Sequence, residues 1–153
     1  MVDERLVGAW ELVGTEQRNA DGEVVSGSLP YSTGQLIYSA DGHMSAHLMG
    51  ANRPTAERGS RGPASSEFKQ QAYDSYFGYY GTYTVDAAAG VITHHIHGSL
   101  FPEMAGTEQR RHFEFSDGRL TLSPPATDGG PPRLYLVWQR VGDARRQEAE
   151  VQA

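Results

Sequence analysis

Short runs of β-branched and aromatic residues in this 153-residue chain alternate with polar positions and stop repeatedly at a glycine-containing turn, as in "GQLIYSADGHMSA" and "RRHFEFSDGRLTLS". A period of two broken by such turns confines the chain to hairpins, and so to an antiparallel sheet with one buried face. Strands are expected at residues 6–17, 23–26, 34–39, 43–49, 79–86, 91–98, 108–115, 119–123 and 133–141. Glycine and proline together supply 26 residues, as so many turns require. One segment breaks the pattern: "SSEFKQQAYDSYF" (65–77) opens on capping serines and spaces Phe68, Ala72 and Tyr76 as one face of a short amphipathic helix. Ahead of it, residues 50–64 are rich in Gly, Pro and Arg without periodicity, and are expected to form a loop that closes over a barrel mouth when a ligand binds. The chain suits a single domain over 1–141, burying roughly two thirds of its unfolded surface, with a polar tail at 142–153 expected to fray.

Turn chemistry registers the hairpins. The three-residue loop of "SADGH", with Gly42 in the left-handed position, pairs Tyr38 with Met44 and Leu36 with Ala46. The Asp-Gly turn of "SDGR" pairs Phe115 with Leu120 and Phe113 with Leu122. The loop "AAAG" (87–90) pairs Asp86 with Val91, which brings Tyr83 opposite His94. If "SLFPEMAG" is centred near Pro102 and Glu103, His94 also stands opposite Arg111.

This register sorts the histidines of "GVITHHIHGSLFPE" (90–103). His94 shares the inner face with Ile92 and Ile96, whereas His95 and His97 point to solvent. Arg111 falls on the apolar face with Phe113 and Phe115, so Tyr83, His94 and Arg111 form a polar row inside. Two meanings remain open. The row is structural, its donors satisfied by carbonyls and a tyrosine hydroxyl, or it is chemical, with His94 as acid or base, Tyr83 or Tyr38 as proton donor and Arg111 stabilising an enolate or carboxylate. "HIH" resembles the His-x-His of a cupin metal site, but its spacing from Gly90 and to Glu103 departs from that motif and its histidines face outward; no metal is expected.

Composition removes several functions. A net charge of −6 and the lack of a basic stripe argue against nucleic acid. The chain has no cysteine, so neither a disulfide framework nor a thiolate nucleophile is available. It has no Gly-x-Ser-x-Gly elbow, and Lys69, its only lysine, lies in the expected helix. No apolar run reaches membrane-span length and the N-terminus lacks a signal-peptide pattern, so a cytoplasmic protein without a membrane partner is expected.

"GAW" (8–10) opening the first strand and "VWQR" (137–140) closing the last resemble the lipocalin arrangement, in which a tryptophan plugs the closed end of a barrel and a late arginine packs across it. That likeness implies structural roles for Trp10 and Arg140. "LVGAWELV", "YYGTYTVD" and "VITHHIHGSLFPEMAGTEQRRHFEF", with the hairpins above and in the same order, resemble the bacterial lipocalin-like domain family. The resemblance implies an all-β antiparallel barrel of about 8–10 strands with one short helix, large enough inside for one small ligand. Its expected lining is Leu36, Tyr38, Met44, Ala46, Leu48, Tyr79, Ile92, Ile96, Phe113 and Leu122 around Tyr83, His94 and Arg111. The preferred expectation is a cofactor-free cyclase, isomerase or lyase acting on a small apolar, polyketide- or terpenoid-like metabolite. The alternative is a non-catalytic carrier of a small hydrophobic ligand. The protein is expected to be a monomer or homodimer.

Overall fold

The computed structural model describes residues 2–19, 21–25, 31–55, 65–125 and 133–142. Residues 56–64 of the expected lid and 143–153 of the expected tail lie outside them. The elements run β1 (Gly8–Arg18), β2 (Val24–Val25), β3 (Thr33–Tyr38), β4 (His43–Met49), α1 (Ser66–Asp74), β5 (Tyr76–Asp86), β6 (Val91–Ser99), β7 (Glu108–Ser116), β8 (Arg119–Ser123) and β9 (Arg133–Arg140). All described pairings are antiparallel. They follow the order β2-β1-β3-β4-β5-β6-β7-β8-β9, and β9 returns to pair with β1. That last pairing closes β1 and β3–β9 into an eight-stranded barrel, leaving β2 as a short addition to the far end of β1. Closure removes the open edges that a sheet of this length would otherwise expose.

The turns act as their sequences require. Gly42 has φ +90°, and β3 and β4 pair Tyr38 with Met44 and Leu36 with Ala46. Asp117 and Gly118 both take positive φ, +52° and +74°, giving the Phe115–Leu120 and Phe113–Leu122 pairs. Asp86 stands opposite Val91 and Tyr83 opposite His94.

Two expectations are corrected. The helix ends at Asp74 rather than at residue 77, because Ser75 caps it by donating to the Gln71 carbonyl while Tyr76 enters the β4 ladder opposite Met49. Ser65 caps the other end by accepting from the Phe68 N–H, as expected, but no residue of α1 is fully buried. The β6–β7 register is also shifted by two residues: Arg111 faces Ile92, and His94 faces Gln109. The connection is asymmetric. β6 continues along β5 to Ser99, a 3-10 turn occupies Pro102–Met104, and Gly106 at φ +81° donates to the Ile96 carbonyl. A bulge lies in the same region, where Tyr80 faces Gly98 but Gly81 faces Ile96. The two backbones are so close there that a Cβ on Gly81 would lie 1.9 Å from the His95 carbonyl oxygen.

The core lies on the inner face of the barrel. Leu6, Trp10, Leu36, Tyr38, Ile92, Ile96, Leu120 and Trp138 are almost completely shielded from solvent. At one end Trp10 donates its indole N–H to the Leu6 carbonyl at 2.9 Å. The Arg140 guanidinium lies 4.4 Å from the Trp10 ring and donates to the carbonyls of Val7 and Arg5. Gly8 is required there: its φ is +135°, and a Cβ would come within 2.6 Å of Arg140 Nη1. These contacts tie both chain ends across that end of the barrel.

Candidate functional site

Alternation along each strand decides what faces inward. β3 contributes Leu36 and Tyr38, β4 contributes Met44, Ala46 and Leu48, β5 contributes Tyr79 and Tyr83, and β6 contributes Ile92, His94 and Ile96, all buried. β8 adds buried Leu122 and β7 adds half-buried Phe113, so each expected lining residue stands inside, within or against one apolar cluster. On β7, Gln109 and Arg111 continue the parity set by Phe113 and Phe115.

His94 is the polar centre of this interior, with both ring nitrogens engaged. Nε2 lies 2.6 Å from the Tyr38 hydroxyl and Nδ1 lies 2.9 Å from the Tyr79 hydroxyl. Both tyrosines are buried, and their rings tilt against the imidazole at centroid distances of 5.7 and 5.8 Å. Burial, reinforced by the Arg111 charge, lowers the His94 pKa to about 3. The ring is therefore neutral at physiological pH. Burial also raises both tyrosine pKa values, an effect the nearby Arg111 charge opposes.

The polar centre differs from the expected row. Tyr83 is the cross-strand neighbour of His94, but its hydroxyl donates to the Ser39 carbonyl at 2.8 Å and its ring packs on Tyr38 at 4.7 Å. Tyr38 and Tyr79 supply the hydroxyls instead. Long aromatic side chains lean along their strands, so the residue directly opposite in register need not be the one that reaches the imidazole. Arg111 is half-buried, and its Nη1 donates to the Arg110 carbonyl at 2.8 Å. Its charge acts on Tyr38, Tyr79 and His94 together. Among the described strands no inward position holds Asp or Glu, so no carboxylate on the inner wall offsets that charge.

Outside the barrel, His95 Nδ1 donates to the Glu108 carboxylate at 3.1 Å and its Nε2 lies 3.0 Å from the Thr84 hydroxyl, and His97 is exposed. Among the described residues no cluster of three His, Asp or Glu is placed to hold a metal. No helix there is long and apolar enough to cross a membrane. Two apolar grooves lie on the outer surface. One of about 450 Å³ is lined by residues including His47, Tyr76, Tyr80 and Leu100; another of about 480 Å³ runs between α1 and Arg53.

Trp138 is among the inner residues that carried no expectation. On β9, it is almost completely buried, yet its indole N–H has no hydrogen-bond partner among the described residues. Its inward direction could have been read by alternation from Arg140, but its unpaired donor is a property of the packed interior.

A crystal structure of a mutant of the fluorescent protein UnaG is similar at 12% identity and a TM-score of 0.40, covering 90% of this chain and 97% of that one. No curated protein matches the chain at a significant level. A family model described as a lipocalin-like domain matches residues 7–141, which span every strand of the closed barrel. The chain belongs to the lipocalin-like domain family.

Proposed function

We propose that the protein binds a small, mainly apolar molecule inside its barrel, with an anionic or oxygen-rich end directed at Arg111 and the Tyr38–His94–Tyr79 group. A lipocalin-like barrel fits a small hydrophobic ligand. The observation that carries the finer reading is Arg111, an inward cation beside buried aromatic groups with no inward carboxylate on the described strands. Half-buried, such a charge has lost part of its hydration, and a ligand group of opposite charge compensates it. The reading places the protein in the cytoplasm, where a chain without cysteine loses nothing to reducing conditions.

Dodecanoate and dodecanol separate the charge from the apolar chain. Calorimetric titration is expected to show the carboxylate binding one to one and at least about tenfold tighter than the alcohol, as a charged hydrogen bond allows. Arg111→Met is expected to abolish that preference. Equal affinities in the wild type, or a preference that survives in the variant, would overturn the reading.

A second reading is the cofactor-free cyclase, isomerase or lyase acting on a polyketide- or terpenoid-like substrate. It is supported by the doubly bonded imidazole, since a phenol–imidazole–phenol chain can relay a proton while Arg111 stabilises an enolate. A pKa of about 3 makes His94 a weak base, which favours binding over catalysis. With a substrate in hand, His94→Gln distinguishes them: an enzyme loses turnover far more than affinity, and a binder changes only in affinity.

A further inference from the structure

We infer that the barrel interior recognises two oxygen acceptors on its ligand, one bound by the Tyr79 hydroxyl on β5 and one by the Trp138 indole N–H on the facing wall, β9. The inference rests on the interior being the ligand site, as proposed above, and names the class of molecule that suits it. Its first support is a count of protons. Neutral His94 carries one N–H, and Tyr38 and Tyr79 carry one O–H each, so three protons serve two contacts. One hydroxyl proton is left over whichever tautomer the ring adopts. We take the tautomer in which the shorter contact is the hydroxyl's, because hydroxyl donors make shorter bonds than N–H donors. Tyr38, at 2.6 Å, then donates to Nε2, and the Nδ1–H, at 2.9 Å, donates to Tyr79. The Tyr79 proton is the one without an acceptor among the described residues.

Trp138 is the second support, independent of the first. Its indole is as deeply buried as that of Trp10, but Trp10 has the Leu6 carbonyl and Trp138 Nε1 has no partner among the described residues. Buried donors are nearly always paired, and an unpaired one on the inner wall of the barrel, where the ligand is proposed to bind, marks where an acceptor belongs. β5 and β9 stand four strands apart in a ring of eight, so the two donors lie on opposite walls. The inward positions of the described strands hold no carboxylate to take them. A flat apolar molecule with ketone oxygens on opposite edges, and a carboxylate for Arg111, meets all three groups.

Anthraquinone-2-carboxylate and anthracene-2-carboxylate test this directly, since they share three rings and a carboxylate and differ only in two ketone oxygens on opposite edges. The wild type is expected to bind the quinone at least about tenfold tighter, the gain that two hydrogen bonds supply. Tyr79→Phe and Trp138→Phe should each reduce the ratio of the two affinities several-fold, and the ratio cancels any general loss from repacking. Long-range nitrogen NMR of the wild-type imidazole should find Nδ1 protonated and Nε2 bare, a readout that needs no variant to fold. Equal affinities, an unchanged ratio in both variants, or the opposite tautomer would overturn the two-acceptor inference while leaving an anion-binding interior in place. If neither compound binds while dodecanoate does, the two-acceptor inference falls alone; if dodecanoate fails as well, the binding reading falls with it.

Discussion

His94 is held neutral between two phenols, and this has a thermodynamic consequence separate from any ligand. Its pKa of about 3 in the folded protein lies below the ordinary value of 6.5, so as pH falls the unfolded chain takes up the proton first. The stability linked to this residue is complete above pH 6.5 and is lost progressively as pH falls toward 3. Relative to His94→Gln, the wild type should lose about 2 kcal/mol by pH 5, at about 1.4 kcal/mol per pH unit. Urea unfolding of both proteins between pH 4 and 8 checks it, and parallel pH profiles would contradict it. Arg111 is predicted to behave in the opposite sense to a structural residue. Arg111→Met removes a charge that no inward carboxylate of the described strands offsets, so the variant should melt at or above the wild-type temperature while losing affinity for carboxylates. A variant that unfolds would make Arg111 a strut rather than a ligand group.

At the scale of elements, the closed end separates stability from chemistry. Trp10→Ala removes a fully buried indole and its bond to the Leu6 carbonyl, and should destabilise by about 3–5 kcal/mol. Arg140→Ala removes donors to Val7 and Arg5 together with the contact to the Trp10 ring, and should be destabilising by about 1–3 kcal/mol. Neither change should alter the dodecanoate-to-dodecanol preference, because the hydrogen bonds of both residues go to the backbone of Arg5, Leu6 and Val7 rather than to Tyr38, His94 or Tyr79; thermal melts beside the titrations check both halves. The sequence was most legible where structure is local. Gly42 and the Asp117-Gly118 pair can occupy their positive φ values, and those turns fix the register of β3–β4 and β7–β8. It was least legible between β6 and β7. There a bulge and a 3-10 turn displace the loop centre, moving Arg111 from His94 to Ile92, and neither has a period that alternation can detect. The helix was over-extended for a related reason: Phe68, Ala72 and Tyr76 fit a helical face, but Tyr76 gains a ladder partner in Met49 once β4 is in place.

For the whole molecule, parity along single strands was enough to place the lining residues inside, because a closed barrel turns one face of every strand toward a common interior. Closure itself joins β1 to β9, near opposite ends of the chain, and local pattern carries no record of that pairing; only the resemblance of "GAW" and "VWQR" to a lipocalin plug pointed to it. The polar centre was legible in residue type but not in connectivity, since which tyrosine reaches His94 depends on side-chain length and lean across three strands. An interior site and the two outer grooves make different demands on the same apolar probe. Methyl NMR of the full chain titrated with dodecanoate tests the central claim most directly. The account predicts that the inward methyls of Leu36, Leu48, Ile92, Ile96 and Leu122 shift together and saturate at one equivalent, while the exposed methyls of Ile37 and Leu100 stay still. Shifts confined to Leu100 and the outer surface, with the inward set unmoved, would contradict it.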